Sequence, residues 1–86
     1  MDTITTTEEL WERIRRLIAA LRRRGGENIA TQIEQALRSN TGLTDGWSLM
    51  LDGLTTARTH GEAHLTIEER AELDRIIDAV RNALQR

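Results

Sequence analysis

Between Leu10 and Leu84 the large apolar residues fall into four blocks, each at helical spacing, and no proline interrupts any of them. A stripe that recurs every three to four residues buries one side of a helix and leaves the other in water, so four such blocks demand a helix-on-helix core. Strand patterning does not compete, because β-branched residues are scattered and Phe and Tyr are absent. The 86 residues suffice for one domain and leave no room for a second core. With no cysteine, neither a disulfide nor a thiolate metal site can reinforce that core, and stability must come from apolar packing.

The spacing predicts helices over about 7–24, 27–38, 45–58 and 67–85, with residues 1–6 a flexible N-terminus and 7–86 a single helical domain. Thr6-Thr7-Glu8-Glu9 reads as a capping box, in which the Thr6 hydroxyl and the Glu9 carboxylate meet otherwise unpaired backbone N–H groups. Leu10, Ile14, Leu17, Ile18 and Leu21 then share one stripe with Trp11 at its edge, the arginines from Arg13 to Arg24 lie outside it, and Gly25-Gly26 closes the helix. The second helix offers the thinnest stripe, Ile29, Ile33, Ala36 and Leu37. The third begins at Thr44 or Asp45 and turns Trp47, Met50, Leu51, Leu54 and Ala57 inward. Leu49 and Gly53 point away from that stripe, so this helix is either covered on two sides or carries a small apolar patch. A mid-helix glycine costs about 1 kcal/mol relative to alanine, which is tolerable where another backbone must come close. Thr66-Ile67-Glu68-Glu69 is a second capping box, followed by Leu73, Ile76, Ile77, Val80, Ala83 and Leu84 on one face. The expected fold is all-α, a small irregular four-helix bundle with the long first and last helices antiparallel and the two shorter ones covering them. A three-helix core with the second helix peripheral is the nearest alternative.

All twelve basic side chains are arginine, yet the net charge is −2, so the molecule as a whole has no field that gathers nucleic acid or anionic lipid. The charges are unevenly placed. From Glu8 to Arg24 there are six arginines against three acids, and from Glu68 to Asp78 five acids against two arginines. Two helices of opposite sign can pair within one molecule or each face a partner. The polar, acidic start lacks the order of a secretion signal, and the longest apolar run, Leu17 to Leu21, is too short to cross a bilayer, so a cytoplasmic location is expected and no membrane partner.

Catalytic chemistry finds little to use. Cysteine, lysine and tyrosine are absent, Ser39 and Ser48 sit at helix ends, and the glycines lack phosphate-loop spacing, so no enzyme activity and no cofactor are expected. His60-Gly61-Glu62-Ala63-His64 places two histidines four apart near Glu62 and Glu68, which makes His60 and His64 the candidate metal ligands. Gly61 argues against a helix there, and the ordinary reading is a pair of solvated loop side chains. The run Arg22-Arg23-Arg24 invites a phosphate-contact reading, against which stand the nearby acids and the lack of aromatic platforms. A helix-turn-helix reading fails because Ser39 to Asp45 is a long connector and the would-be reading helix carries only Arg58.

The stretch from Leu17 to Leu37, LIAALRRRGGENIATQIEQAL, resembles the helix-glycine-helix start of short bacterial all-helical proteins of unassigned function, some of them immunity-protein-like. Those proteins often carry a tryptophan in the second helix, where this chain has Ile29-Ala30. The resemblance implies a small bacterial binding protein and assigns no functional residue. The sequence therefore reads as a non-enzymatic protein–protein interaction module, with an unknown protein or a second copy as partner. Trp47, Leu49 and Gly53 on the third helix and Arg13, Arg16 and Arg23 on the first are the interface candidates. The alternative is a nucleic-acid-associated factor using Arg13, Arg16 and the Arg22 to Arg24 cluster.

Overall fold

The computed structural model describes Ile4, residues 6–40 and residues 44–84, and of Thr44 the backbone only. Four helices follow one another: α1 (Thr7–Arg23), α2 (Glu27–Ser39), α3 (Thr44–His60) and α4 (Ile67–Leu84). The expected C-terminus of the last helix at residue 85 and the stretch 1–3 lie outside the described residues. α3 runs two residues past the expected end and is as long as α1, so α2 alone is short. No helix among the described residues is long and apolar enough to cross a membrane.

The termini carry the expected chemistry. Thr6 Oγ1 accepts from the Glu9 N–H at 3.1 Å to open α1. At α4 the box is reciprocal: Thr66 Oγ1 accepts from the Glu69 N–H at 3.1 Å, and Glu69 Oε1 accepts from the Thr66 N–H at 2.9 Å. α1 ends in a Schellman turn, with the Gly26 N–H donating to the Leu21 carbonyl at 2.7 Å and the Gly25 N–H to the Arg22 carbonyl at 3.3 Å. That turn needs a left-handed residue, and Gly25 supplies it with φ of 90°. Gly26 then serves as the N-cap of α2, so the two helices meet with almost no connector. The α3–α4 connector is wound through Gly61, whose carbonyl accepts from the N–H groups of His64 and Leu65 at 2.8 Å each. This turn drives Leu65 into the core, a burial its loop position did not foretell.

The helices pack as a ring in which α1 neighbours α2 and α4, and α3 neighbours α2 and α4. Arg13 meets Glu72 and Arg24 meets Glu69, which runs α1 antiparallel to α4; Arg58 near the end of α3 meets Asp74 while Trp47 near its start stands by Ala79 and Asn82, which runs α3 antiparallel to α4 as well. Leu10, Ile14, Leu17, Ile18 and Leu21 of α1 join Met50, Leu54 and Ala57 of α3 and Leu73, Ile76, Ile77 and Val80 of α4 in one interior. α2 is part of this core and not an outlier, because Ile29, Ala30, Ile33 and Ala36 are all buried. Among the described residues no polar or charged residue is buried. Across the diagonal, Trp11 of α1 and Trp47 of α3 stack with ring centroids 5.5 Å apart and planes inclined by 24°. Both rings are half-buried, and Ile4 packs against the same end of the core.

Gly53 shows why α2 belongs inside. A Cβ built there would stand 2.6 Å from the Cβ of Ala36 and 3.1 Å from its Cα. The two helices touch at small residues, and α3 is covered on that flank as well as on its main stripe. Gly53→Ala therefore loses stability even though alanine is the better helix former by about 1 kcal/mol. The expected net loss is roughly 1–3 kcal/mol, a fall in Tm of about 4–8 °C per kcal/mol, measured by circular dichroism. Adding Ala36→Gly should recover part of it; an unchanged or raised Tm for Gly53→Ala would show that the helices do not touch there.

Candidate protein interface

The arginine run divides three ways, because consecutive helical positions are about 100° apart. Arg22 lies along α2, where its Nη1 and Nη2 donate to the two Glu34 oxygens at 3.2 Å each and its Nε reaches Glu27 at 3.3 Å. Arg24 turns to α4, where its Nε and Nη2 donate to the Glu69 oxygens at 2.6 and 2.5 Å and Nη2 also donates to the His64 carbonyl at 2.8 Å. Arg23 stays on the outer face, with its Nε donating to the Ala19 carbonyl at 3.4 Å. What reads in sequence as one basic cluster is thus two staples and one solvated side chain.

The other two arginine candidates divide similarly. Arg13 donates from Nε and Nη2 to the Glu72 oxygens at 2.8 and 2.6 Å, with side chains only 13% and 22% exposed. Arg16 pairs with Glu12 one turn away, and both are exposed. The basic excess of α1 and the acidic excess of α4 therefore meet inside one molecule, at two points along their shared seam. Hydrogen bonding to Arg22 and to Arg24 holds the Glu34 and Glu69 carboxyls below the ordinary glutamate value, and the same bonds push both guanidinium groups further up.

Of the α3 candidates, the structure separates what the sequence grouped. Gly53 is the contact point with α2. Trp47 stacks on Trp11 and lines a small depression of about 100 Å³ with Ile4, Leu10 and Ala79. Leu49 lies one turn before Gly53 on the same flank and remains 56% exposed. It is, with Ile67 at the start of α4, one of the large apolar residues that the described surface leaves out in water.

The histidines are both exposed and do not converge. His60 is the last residue of α3 and borders a depression with Gln32, Gln35, Ser39 and Thr56, whereas His64 sits in the following turn beside Arg24 and Asn28. Among the described residues no three His, Cys, Asp or Glu side chains stand close enough together to hold a metal ion. The amide oxygen of Gln32 is buried beside the His60 depression without a hydrogen-bond partner among the described residues.

Sequence reasoning missed a cleft between α1 and α2. Ile18, Ala19 and Leu37 form its floor, and Arg15, Arg22, Arg38 and Glu34 form its rim, around an open volume of about 470 Å³. Leu37 was expected on the buried stripe; it is half-buried because it tops the α1-facing flank of α2. The signal was present in the spacing, since Trp11, Arg15, Ile18 and Arg22 follow one another by four, three and four along one flank of α1. Compared with protein-family models, curated proteins and solved structures, the chain matches none.

The two lowered carboxyls set the response to acid. The folded state releases these protons more readily than the unfolded chain, so the stabilisation is complete above the ordinary value of 4.5 and is lost as pH falls through the lower folded values. Tm should fall on acidification below that point. Glu69→Gln should lower Tm by several degrees at neutral pH and flatten the acid limb, measured by thermal melts from about pH 6 to 3. An acid limb identical to that of the unaltered protein would show that the Arg24–Glu69 pair contributes nothing to it.

Proposed function

We propose that the protein is a non-enzymatic helical interaction module that acts by surface complementarity toward a protein partner, a second copy of the chain included. The observation that carries this reading is the contrast between interior and surface. The residues fully buried among those described are all apolar, and the resolved titration shifts trace to hydrogen bonds with ion-pair partners in neighbouring helices and not to a cleft of converging groups. Meanwhile Leu49 is kept in water and the Trp11–Trp47 pair is left half-exposed, and residues of these kinds gain by being covered. The resemblance of residues 17–37 to short bacterial all-helical proteins fits such a role, and the absence of cysteine fits a cytoplasmic setting.

The alternative, a nucleic-acid-associated factor, draws on Arg16 and Arg23, which share the outer face of α1. It is the weaker reading because Arg13, Arg22 and Arg24 are engaged by carboxylates of the same molecule. A photo-crosslinking residue placed at Leu49 or Arg15, in cells that produce the protein, tests both. Discrete protein adducts, or a crosslinked dimer, are expected from these positions and not from Asp78 on the outer face of α4. Adducts to nucleic acid alone, or none that differ from those at Asp78, would overturn the reading.

A further inference from the structure

The α1–α2 cleft has a composition that selects its occupant. Its floor is apolar, made by the side chains of Ile18 and Leu37 with the exposed methyl of Ala19 between the helices. Around that floor stand three guanidinium groups and one carboxylate. The carboxylate, Glu34, is already spent: Arg22 holds both of its oxygens at 3.2 Å, and Arg38 approaches one of them at 3.4 Å. Arg15, exposed on the opposite lip, has no carboxylate partner among the described residues. Arg38 is 75% exposed and retains donors directed to solvent. With three guanidinium groups against one carboxylate the rim is net positive, unpaired at Arg15 on the α1 lip and only partly paired at Arg38 on the α2 lip.

We propose that this cleft docks an acidic amphipathic helix of a partner protein. This inference rests on the interaction-module reading and names the partner's chemistry. Two antiparallel helices leave a furrow along their seam, and a third helix settles there with its apolar stripe on the floor. One or two leucine-sized side chains of the incoming helix cover Ile18, Ala19 and Leu37. Glu or Asp residues flanking that stripe reach Arg15 on one lip and Arg38 on the other, where the planar guanidinium takes a carboxylate through paired donors. Charge complementarity decides against a basic or neutral helix, which would leave Arg15 without a carboxylate and the net positive rim uncompensated. It also decides against a nucleic acid strand: the cleft offers no aromatic surface on which a base can stack, and the molecule's net charge of −2 opposes a polyanion beyond the cleft.

Ala19 supplies a clean block, because Ala19→Glu puts a carboxylate on the cleft floor at an exposed helical position without touching the core. The test is a displayed library of helical peptides with randomised faces, selected on the immobilised protein and counter-selected on the Ala19→Glu variant. The enriched peptides, synthesised with a fluorescent label, are titrated by anisotropy at low and high salt, with labelled single-stranded DNA in parallel. Expected are leucine-like residues at helical spacing flanked by Asp or Glu. Their affinity should fall at least about tenfold for the Arg15→Glu/Arg38→Glu variant, fall with added salt, and stay unchanged for Arg81→Glu on the outer face of α4. No enrichment over the blocked variant, enrichment of basic or neutral flanks, indifference to the double charge reversal, or binding of DNA in place of peptide would each overturn the proposal. If the peptides fail while the crosslinker at Leu49 still captures protein, this inference falls and the interaction-module reading stands; if both fail, both fall.

Discussion

The missing side chain at Gly53 allows α2 to lie against α3 at Ala36, and the arrangement of the other helices follows from that contact. A Cβ at this position would overlap Ala36, so any larger residue pushes α2 outward. With α2 held close, Ile29, Ala30, Ile33 and Ala36 enter the core and the ring of four closes. Thirteen residues make α2 the shortest helix, and Leu49 of α3, one turn before Gly53, stays in water. Its α1-facing flank, with Glu34, Leu37 and Arg38, forms one wall of the cleft.

Electrostatics works on the other three seams. Arg22 with Glu34 ties α1 to α2, Arg13 with Glu72 and Arg24 with Glu69 tie α1 to α4, and Arg58 with Asp74 ties α3 to α4. The pairs open to solvent stabilise by only about 0–1 kcal/mol each, and Arg13 with Glu72 is the most sheltered of the four. Their larger consequence is geometric, since a bidentate guanidinium specifies which turn of one helix stands beside which turn of its neighbour. Glu69 concentrates this role: one carboxylate caps α4 through the Thr66 N–H and receives Arg24 from the end of α1. At the α2–α3 seam the specifying contact is steric, between two small residues.

The fold was largely legible because burial periodicity, caps and glycine stops all act locally. Thr6, Thr66 and the Gly25-Gly26 turn announce helix ends through hydrogen bonds within a few residues, and no tertiary knowledge is needed to read them. The length of α3 was not legible, since helical backbone continues through His60 to the Gly61 N–H, which donates to the Ala57 carbonyl at 2.9 Å. Leu65 was missed for a related reason: its burial depends on how the connector winds, not on a stripe. The site was less legible than the fold. Arg22, Arg23 and Arg24 look alike in sequence, and only the positions of Glu34 and Glu69 on other helices show which are engaged. Leu37 carried an apolar-stripe signature that does not distinguish a core from the floor of a cleft. Trp11 and Trp47 each lie on or beside a stripe, but their stacking joins elements 36 positions apart and has no local signal.

The surface that results is divided by use. Arginines on the inward flanks of α1 hold the bundle together, whereas Arg15 and Arg38 stand on either side of an apolar furrow without being consumed by it. On the proposed reading the first set fixes the scaffold and the second meets the partner. Both the cleft and the Gly53 contact require α2 to be an integral wall of the core, because a loosely attached α2 would have neither. Native-state hydrogen exchange reads this directly. Amides in the middle of α2, around Ile33 and Ala36, should exchange only through global unfolding, with the same free energy as those of α3 and α4. Exchange of α2 through a separate, much lower-energy opening would contradict it.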